Sequence, residues 1–147
     1  MYKVQPMADL YETDVLSWSE RQADLLRRLA RGERVNAQID WENVTEEIES
    51  VGRDQLHAVQ SLLRQALSHM LKAEAWPLSL DAPTWRSDAI GFRQQAADRY
   101  APSMRQRLDL ARIYGQALRA LPETIDGQPP GPLPETCQMT LDELLAG

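Results

Sequence analysis

The fold is decided by the stretch from Trp41 to Ala75, which reads WENVTEEIESVGRDQLHAVQSLLRQALSHMLKAEA. At about 100° per residue, its apolar side chains share one arc of a helix. That arc contains Trp41, Val44, Ile48, Val51, Val59, Leu62, Leu63, Ala66 and Met70. The stretch therefore predicts one long amphipathic helix that buries this arc, although Gly52 leaves open a kink or a reversal of the chain.

Further helices are predicted on both sides from the same periodicity and from residues that start or stop helices. They cover residues 14–31, 84–100 and 102–121, and the pair Thr140 and Glu143 predicts a short helix near the end. Thr13 and Thr84 are the expected N-caps of the first two. Because no stretch alternates like a strand, the sequence predicts an all-α fold. We expect an antiparallel bundle of four main helices plus a short C-terminal helix.

The length of 147 residues fits one helical domain over residues 1–147. We expect an N-terminal arm over residues 1–12 and a Pro/Gly-rich loop and tail over residues 122–139. A single cysteine, Cys137, excludes an internal disulfide and a thiol-rich metal site. The segment Met1–Leu10 is too polar for a signal peptide, and no apolar run reaches bilayer length. These features predict a cytoplasmic protein without a membrane partner.

Charge is distributed unevenly along an acidic chain of net charge −6. Residues 1–82 have a net charge of −5, residues 83–119 of +4, and residues 120–147 of −5. An acidic protein is poorly suited to extensive phosphate binding, so nucleic acid is an unfavoured partner. The seven arginines of the central segment could still bind nucleic acid locally. Alternatively, they pair with the acidic second helix or tail.

An acidic run at the start of the long helix is the first candidate for function. Glu42, Glu46 and Glu49 line one side of that helix, and Glu49 precedes Arg53 by four residues. One interpretation is a solvated face with an i,i+4 ion pair. The other is a carboxylate cluster that binds a metal or a basic partner.

His69, followed one turn later by Lys72, is the second candidate. It lies at the rim of the apolar arc, where it is either a hydrogen-bonded histidine at the core boundary or a metal ligand or general base. In one straight helix His69 lies about 35 Å from Glu46. The two can share a site only if the chain reverses at Gly52 or a second copy brings its own residues.

Several blocks of sequence together form a recognisable set of motifs: Tyr11–Asp14, Asp40–Asn43 running into Glu46–Arg53, His69–Lys72, Trp85–Arg86 and Leu133–Cys137 before Thr140–Leu141. Over about residues 9–146 these motifs resemble a bacterial and cyanobacterial family, the domain of unknown function family number twenty-nine. It implies an all-helical bundle and supplies no activity. One departure is Ala73, since family members usually carry an aromatic residue soon after the His-x-x-Lys motif and here the tryptophan comes only at Trp76.

The family motifs coincide with the polar residues singled out above, and together these form the candidate polar site. Its members are Asp40, Glu46, Glu49, Arg53, His69, Lys72 and Arg86.

Three functions remain open, and no cofactor is predicted. Phosphate loops, dinucleotide fingerprints, H-E-x-x-H motifs and nucleophile elbows are absent from the sequence. This absence favours a non-enzymatic interaction module whose charged helical face binds a protein partner or a second copy. The alternative is a metal- or anion-binding enzyme with a carboxylate/His cleft and Arg86 as an anion clamp. The third is nucleic-acid binding through the Arg-rich third and fourth helices.

Overall fold

The computed structural model describes the backbone of residues 7–147 and the side chains from Leu10 onward. Its helices are α1 (Met7–Thr13), α2 (Val15–Ala30), α3 (Trp41–Ala75), α4 (Ala82–Arg99), α5 (Leu110–Arg119) and α6 (Leu141–Leu145), with 3₁₀ turns at Asn36–Gln38 and Pro102–Arg107. Within these residues there is no strand, only an isolated bridge between Ile125 and Gln128. The all-α prediction is confirmed, whereas the antiparallel order of neighbouring helices stays a prediction. None of the helices described has the length and apolar character needed to cross a bilayer.

The chain forms two compact units, the first ending at Arg53 and the second beginning at Asp54. Each unit has its own hydrophobic core. Helix α3 begins in the first unit and ends in the second, with the bounds predicted from the sequence. It is unbroken at Gly52, so the chain does not reverse there. A single domain over residues 1–147 stays a prediction.

The first unit packs α1 and α2 against the start of α3. Its buried core consists of Trp18, Leu25, Val35, Ile39 and Val44. Helix α1 covers much of the segment expected to be an N-terminal arm, of which residues 1–6 lie outside the described residues. Helix α2 ends at Ala30, and Gly32 follows with a φ of 91°, a conformation that glycine adopts without strain.

The N-cap of helix α2 is Asp14, so the prediction of Thr13 is wrong by one residue. Asp14 Oδ1 accepts a hydrogen bond of 3.1 Å from the backbone N–H of Ser17, and Oδ2 accepts one of 2.8 Å from the Ser17 hydroxyl. These bonds satisfy a donor that the first turn of a helix leaves unpaired. They also lower the pKa of the Asp14 carboxyl, because the backbone bond and then the hydroxyl bond stabilise its charged form.

Replacing Asp14 by alanine is expected to lower the melting temperature at neutral pH. A depressed pKa contributes stability that is present above the unfolded value of about 3.9 and is lost as pH falls through the folded value. The melting temperatures of wild type and D14A should therefore converge in acid. Asn caps helices about as well as Asp but does not titrate, so the difference between D14N and D14A should persist in acid. A wild-type advantage over D14A that is equal at both pH values would contradict the role of the charge.

The second unit packs the later part of α3 against α4, α5 and α6. Its core consists of Val59, Leu63, Leu67, Leu71, Ala96, Ile113, Tyr114, Ala117 and Leu144. Helix α4 begins at Ala82, with Pro83 in its first turn, so Thr84 lies inside the helix and the predicted cap is wrong. The predicted capping box of Thr140 and Glu143 at the start of α6 is confirmed.

The predicted helix over residues 102–121 is wrong, because it is interrupted at Leu108. A 3₁₀ turn ends at Arg107, Leu108 is extended, and Asp109 caps a new helix by accepting a 3.1 Å bond from the backbone N–H of Arg112. Helix α5 buries Ile113, Tyr114 and Ala117.

Residues 122–139, which follow α5, contain no helix. Asp126 and Gly127 both have positive φ angles, 53° and 74°, and reverse the chain tightly. The loop then contacts the end of α3. The backbone N–H of Gly131 donates to the Ala75 carbonyl at 2.8 Å, and the Trp76 indole donates to the Gln128 carbonyl at 2.8 Å. A Cβ on Gly131 would lie 3.2 Å from the Ala75 oxygen, so the close approach favours glycine.

Candidate functional site

The seven residues of the candidate polar site are divided between the two units. Asp40, Glu46, Glu49 and Arg53 lie in the first unit. His69, Lys72 and Arg86 lie in the second. Their local contacts differ, and so do the functions that each group can support.

Asp40 belongs to a hydrogen-bonded network at the start of α3. Its Oδ2 accepts from the Trp18 indole N–H at 3.0 Å and from the Asn43 amide at 2.8 Å. Its own backbone N–H donates to Oε1 of Gln22 at 2.8 Å, and Gln22 is only 2% exposed. A buried polar group is tolerated when it is paired in this way. This network therefore fixes the start of α3 against α2, which is a structural role for Asp40.

A second polar contact in the first unit joins α1 to α3. The Tyr11 hydroxyl donates to Oε1 of Glu47 at 2.5 Å, and the Tyr11 ring meets Trp18 edge-on at 4.8 Å between centroids. The bond to Glu47 raises the pKa of Tyr11, because it stabilises the protonated hydroxyl. Tyr11 thus links α1 both to Glu47 on α3 and to Trp18 on α2.

Glu46, Glu49 and Arg53 come together on one exposed side of α3. Arg53 donates to Oε1 of Glu46 at 2.6 Å and to the Ser50 hydroxyl at 3.0 Å, and it lies 3.9 Å from Oε2 of Glu49. Exposed pairs of this kind contribute about 0.2–1 kcal/mol each. The contacts among these side chains therefore agree with the interpretation of the acidic run as a solvated face with ion pairs along the helix.

The apolar arc of α3 is mostly buried in the second unit and mostly exposed in the first. In the second unit Val59, Leu63 and Ala66 are fully buried. In the first unit Trp41, Ile48 and Val51 are 44%, 67% and 66% exposed, so the prediction that this part of the arc is buried is wrong. Among the arc residues in the first unit, Val44 is the one that the core buries. We call the exposed side chains Trp41, Ile48 and Val51 the α3 stripe.

His69 is a hydrogen-bonded residue at the edge of the second core. Its Nδ1 lies 2.7 Å from the Gln65 carbonyl, which requires a proton on that nitrogen. Its Nε2 lies 3.8 Å from Oδ2 of Asp88, and the ring packs 5.2 Å from Phe92. These contacts favour the interpretation of His69 as a hydrogen-bonded structural residue at the core boundary.

Lys72 and Arg86 also lie in the second unit, on α3 and α4. Lys72 is half-buried and Arg86 is exposed. Arg86 lines a shallow groove with Glu74 and Arg93. In the part of the chain whose side chains are described, no three His, Cys, Asp or Glu side chains are arranged to hold a metal ion. The metal-binding alternative therefore has no ligand set among these residues.

Comparison with protein families matches residues 10–147 to one family, described as "Domain of unknown function DUF29". The chain belongs to the DUF29 family. An α-helical protein of unknown function from Rhodospirillum rubrum is similar to it, with 31% identity and a TM-score of 0.66. The similarity covers 99% of this chain and 90% of that one. No curated protein matches this DUF29 member.

Part of the central arginine segment of this DUF29 chain pairs with its acidic tail, as one alternative predicted. Arg105 forms an ion pair with Asp142 on α6. Arg93 donates to the backbone carbonyls of Leu144 at 3.0 Å and Glu143 at 2.9 Å, near the end of the same helix. These arginines hold α6 in place, which leaves fewer of them for nucleic acid.

Sequence reasoning missed the partners of the motif residues in this DUF29 chain. Trp18 and Gln22 lie four residues apart on the inward side of α2, and both bond to Asp40. A glutamine within an otherwise apolar stripe was the available signal, because a buried amide requires a partner. Nothing in the local pattern pointed from Tyr11 to Glu47.

Proposed function

We propose that the chain is a non-enzymatic interaction module whose first unit binds a basic amphipathic helix of a partner protein. The observation that carries this proposal is the exposure of the α3 stripe. Isolated apolar residues are common on protein surfaces, but a row of them that includes a tryptophan is typical of a docking site. Trp41, Ile48 and Val51 recur at spacings of seven and three residues, so they lie along one side of the helix.

The charge beside the α3 stripe determines the kind of partner. Glu42 and Glu49 directly follow Trp41 and Ile48 in sequence, so they lie about 100° around the helix from them, and Arg53 pairs with Glu46 and Glu49. Opposite charges at the rim of an interface accelerate association and reject partners of like charge. A helix with lysine or arginine beside its apolar side matches this pattern better than an acidic or neutral one.

The contact itself is expected to follow helix-on-helix packing. Apolar side chains of the partner at i, i+3 or i+4, and i+7 would contact the α3 stripe. The Trp41 indole already donates to the Asn36 carbonyl at 3.2 Å, which orients the ring. A ring that is held before binding loses little side-chain entropy on association.

The test uses the full chain with a photo-crosslinking residue in place of Thr45, which is exposed between Trp41 and Ile48. Crosslinked proteins are identified by mass spectrometry, purified and titrated against wild type and I48D. The matched control is I90D, since Ile90 is another exposed isoleucine on a different helix. We expect I48D to weaken binding about tenfold or more, I90D to leave it unchanged, and salt to slow association.

The proposal is overturned by three results. One is equal binding by wild type and I48D. Another is a crosslinked partner without a basic amphipathic helix. The third is a second copy of this chain as the sole crosslinked product.

We also place this module in a bacterial cytoplasm, without a nucleic acid or membrane partner. A single thiol, Cys137, agrees with a reducing compartment because it makes no internal disulfide.

A further inference from the structure

The second unit contains a polar pocket between α3 and α5 with a volume of about 420 Å³. From α3 it is lined by His57, Ser61 and Arg64, which lie at i, i+4 and i+7 and so share one side of the helix. From the other side it is lined by Arg107, the last residue of the 3₁₀ turn, and by Arg112 in the first turn of α5. The interruption at Leu108 thus places two arginines of adjacent elements at one pocket.

The charges lining this pocket are mostly positive, although the whole chain is acidic. Three arginines face one carboxylate, that of Asp109, and this carboxylate is occupied in capping α5. Within residues 10–147, neither Arg64, Arg107 nor Arg112 is ion-paired with a carboxylate, in contrast to Arg53 and Arg105. One carboxylate balances only one of the three guanidinium charges, so a bound anion would reduce the repulsion that remains among them.

We propose that this pocket binds a small organic phosphate with at least two negative charges. Guanidinium groups match phosphate oxygens through paired N–H donors, and several of them together favour a multiply charged group. The N-terminus of α5, a helix of ten residues, opens at the same place and adds positive partial charge. The volume lies within the range of pockets for small molecules, so it admits an organic portion beside the phosphate.

The walls of the pocket also suit such a molecule. Ile113 is buried and gives one apolar surface, and the Ser61 hydroxyl and the amides of Gln60 and Gln116 provide neutral hydrogen-bonding groups. Ligand sites commonly combine an apolar wall with a few polar groups that fix orientation. This pocket lies in a different unit from the α3 stripe, so its ligand is independent of the partner proposed above.

A concave arrangement favours a small ligand over a nucleic acid. Nucleic-acid binding relies on cations that follow successive phosphates along an extended backbone. Here Arg64, Arg107 and Arg112 line one pocket, and Arg93 and Arg105 are engaged by α6. The experiment must therefore distinguish binding of a small phosphate from binding of an oligonucleotide.

The experiment titrates the full chain by calorimetry at low salt with inorganic phosphate, pyrophosphate and ATP. We expect pyrophosphate and ATP to bind more tightly than phosphate. R64Q and R112Q should each weaken binding about ten- to a hundredfold, because each removes a charged hydrogen-bond donor. The matched control is R99Q, an exposed arginine on α4 outside the pocket, and it should bind almost like wild type. Circular dichroism confirms that each variant is folded.

Three results would overturn the proposal. The first is absence of binding by all three probes at low salt. The second is an equal loss of affinity in R99Q and R64Q, which would indicate a diffuse surface charge. The third is binding of a duplex or single-stranded oligonucleotide that ATP does not displace.

Discussion

Replacing Leu63 by alanine is expected to lower the free energy of unfolding by about 2–5 kcal/mol. Leu63 is fully buried in the core of the second unit, where it packs with side chains of α3, α4, α5 and α6. The substitution removes apolar surface from that core and leaves a cavity that the neighbouring helices only partly fill. A loss of this size is a large fraction of the stability of a typical domain, about 5–15 kcal/mol.

The matched control for Leu63 is Ile48→Ala, a change on the same apolar arc of α3. Because Ile48 lies in the exposed α3 stripe, I48A should change the free energy of unfolding by less than about 0.5 kcal/mol. Urea denaturation followed by circular dichroism measures both variants. If I48A destabilised the protein as much as L63A, the stripe would be buried in solution, and the docking proposal would fail with it.

Replacing Trp18 by alanine is expected to cost about 3–5 kcal/mol, the second large effect. Trp18 is buried in the core of the first unit and donates its indole N–H to Asp40. The change therefore creates a cavity and also removes a donor from a half-buried carboxylate. The measurement is the free energy of unfolding in urea, as for Leu63.

The conservative variant Trp18→Phe separates the hydrogen bond from the packing. It keeps an aromatic ring but loses the donor to Asp40, and a hydrogen bond to a charged group contributes about 1.5–3 kcal/mol. Trp41→Phe is the control, since the Trp41 indole donates at the surface to the Asn36 carbonyl. A W18F variant as stable as W41F would show that the Asp40 network does not hold the first unit together.

The positions of the long helices could be predicted from the sequence where periodicity and stop signals agree. Helix α3 begins after Asp40 and ends before the Trp76–Pro77 pair, and both signals are local. The interruption at Leu108 could not be predicted in this way. The apolar spacing continues through Met104, Leu108 and Ala111, so the sequence gives no sign that a helix ends there. Only the hydrogen bond from the Arg112 backbone N–H identifies Asp109 as the N-cap of a new helix.

The candidate site was less predictable than the fold. Periodicity shows which side of a helix a residue lies on, but it does not show whether another helix packs against that side. The arc of α3 is apolar both at Ile48 and at Leu63, yet Leu63 is fully buried and Ile48 is exposed. The pocket proposed to bind phosphate is lined by Arg64 from α3 and by Arg112 from α5. That proximity arises from the packing of α5 on α3, which local spacing does not encode.

The two bonds between the Pro/Gly-rich loop and the end of α3 limit how that loop can vary in length. By composition this loop would be expected to tolerate inserted residues well. Yet its Gln128 carbonyl and Gly131 amide, three residues apart, are matched to the adjacent Trp76 indole and Ala75 carbonyl. An insertion between Gln128 and Gly131 would leave one of these groups unpaired, so natural variation in length belongs on either side of this segment.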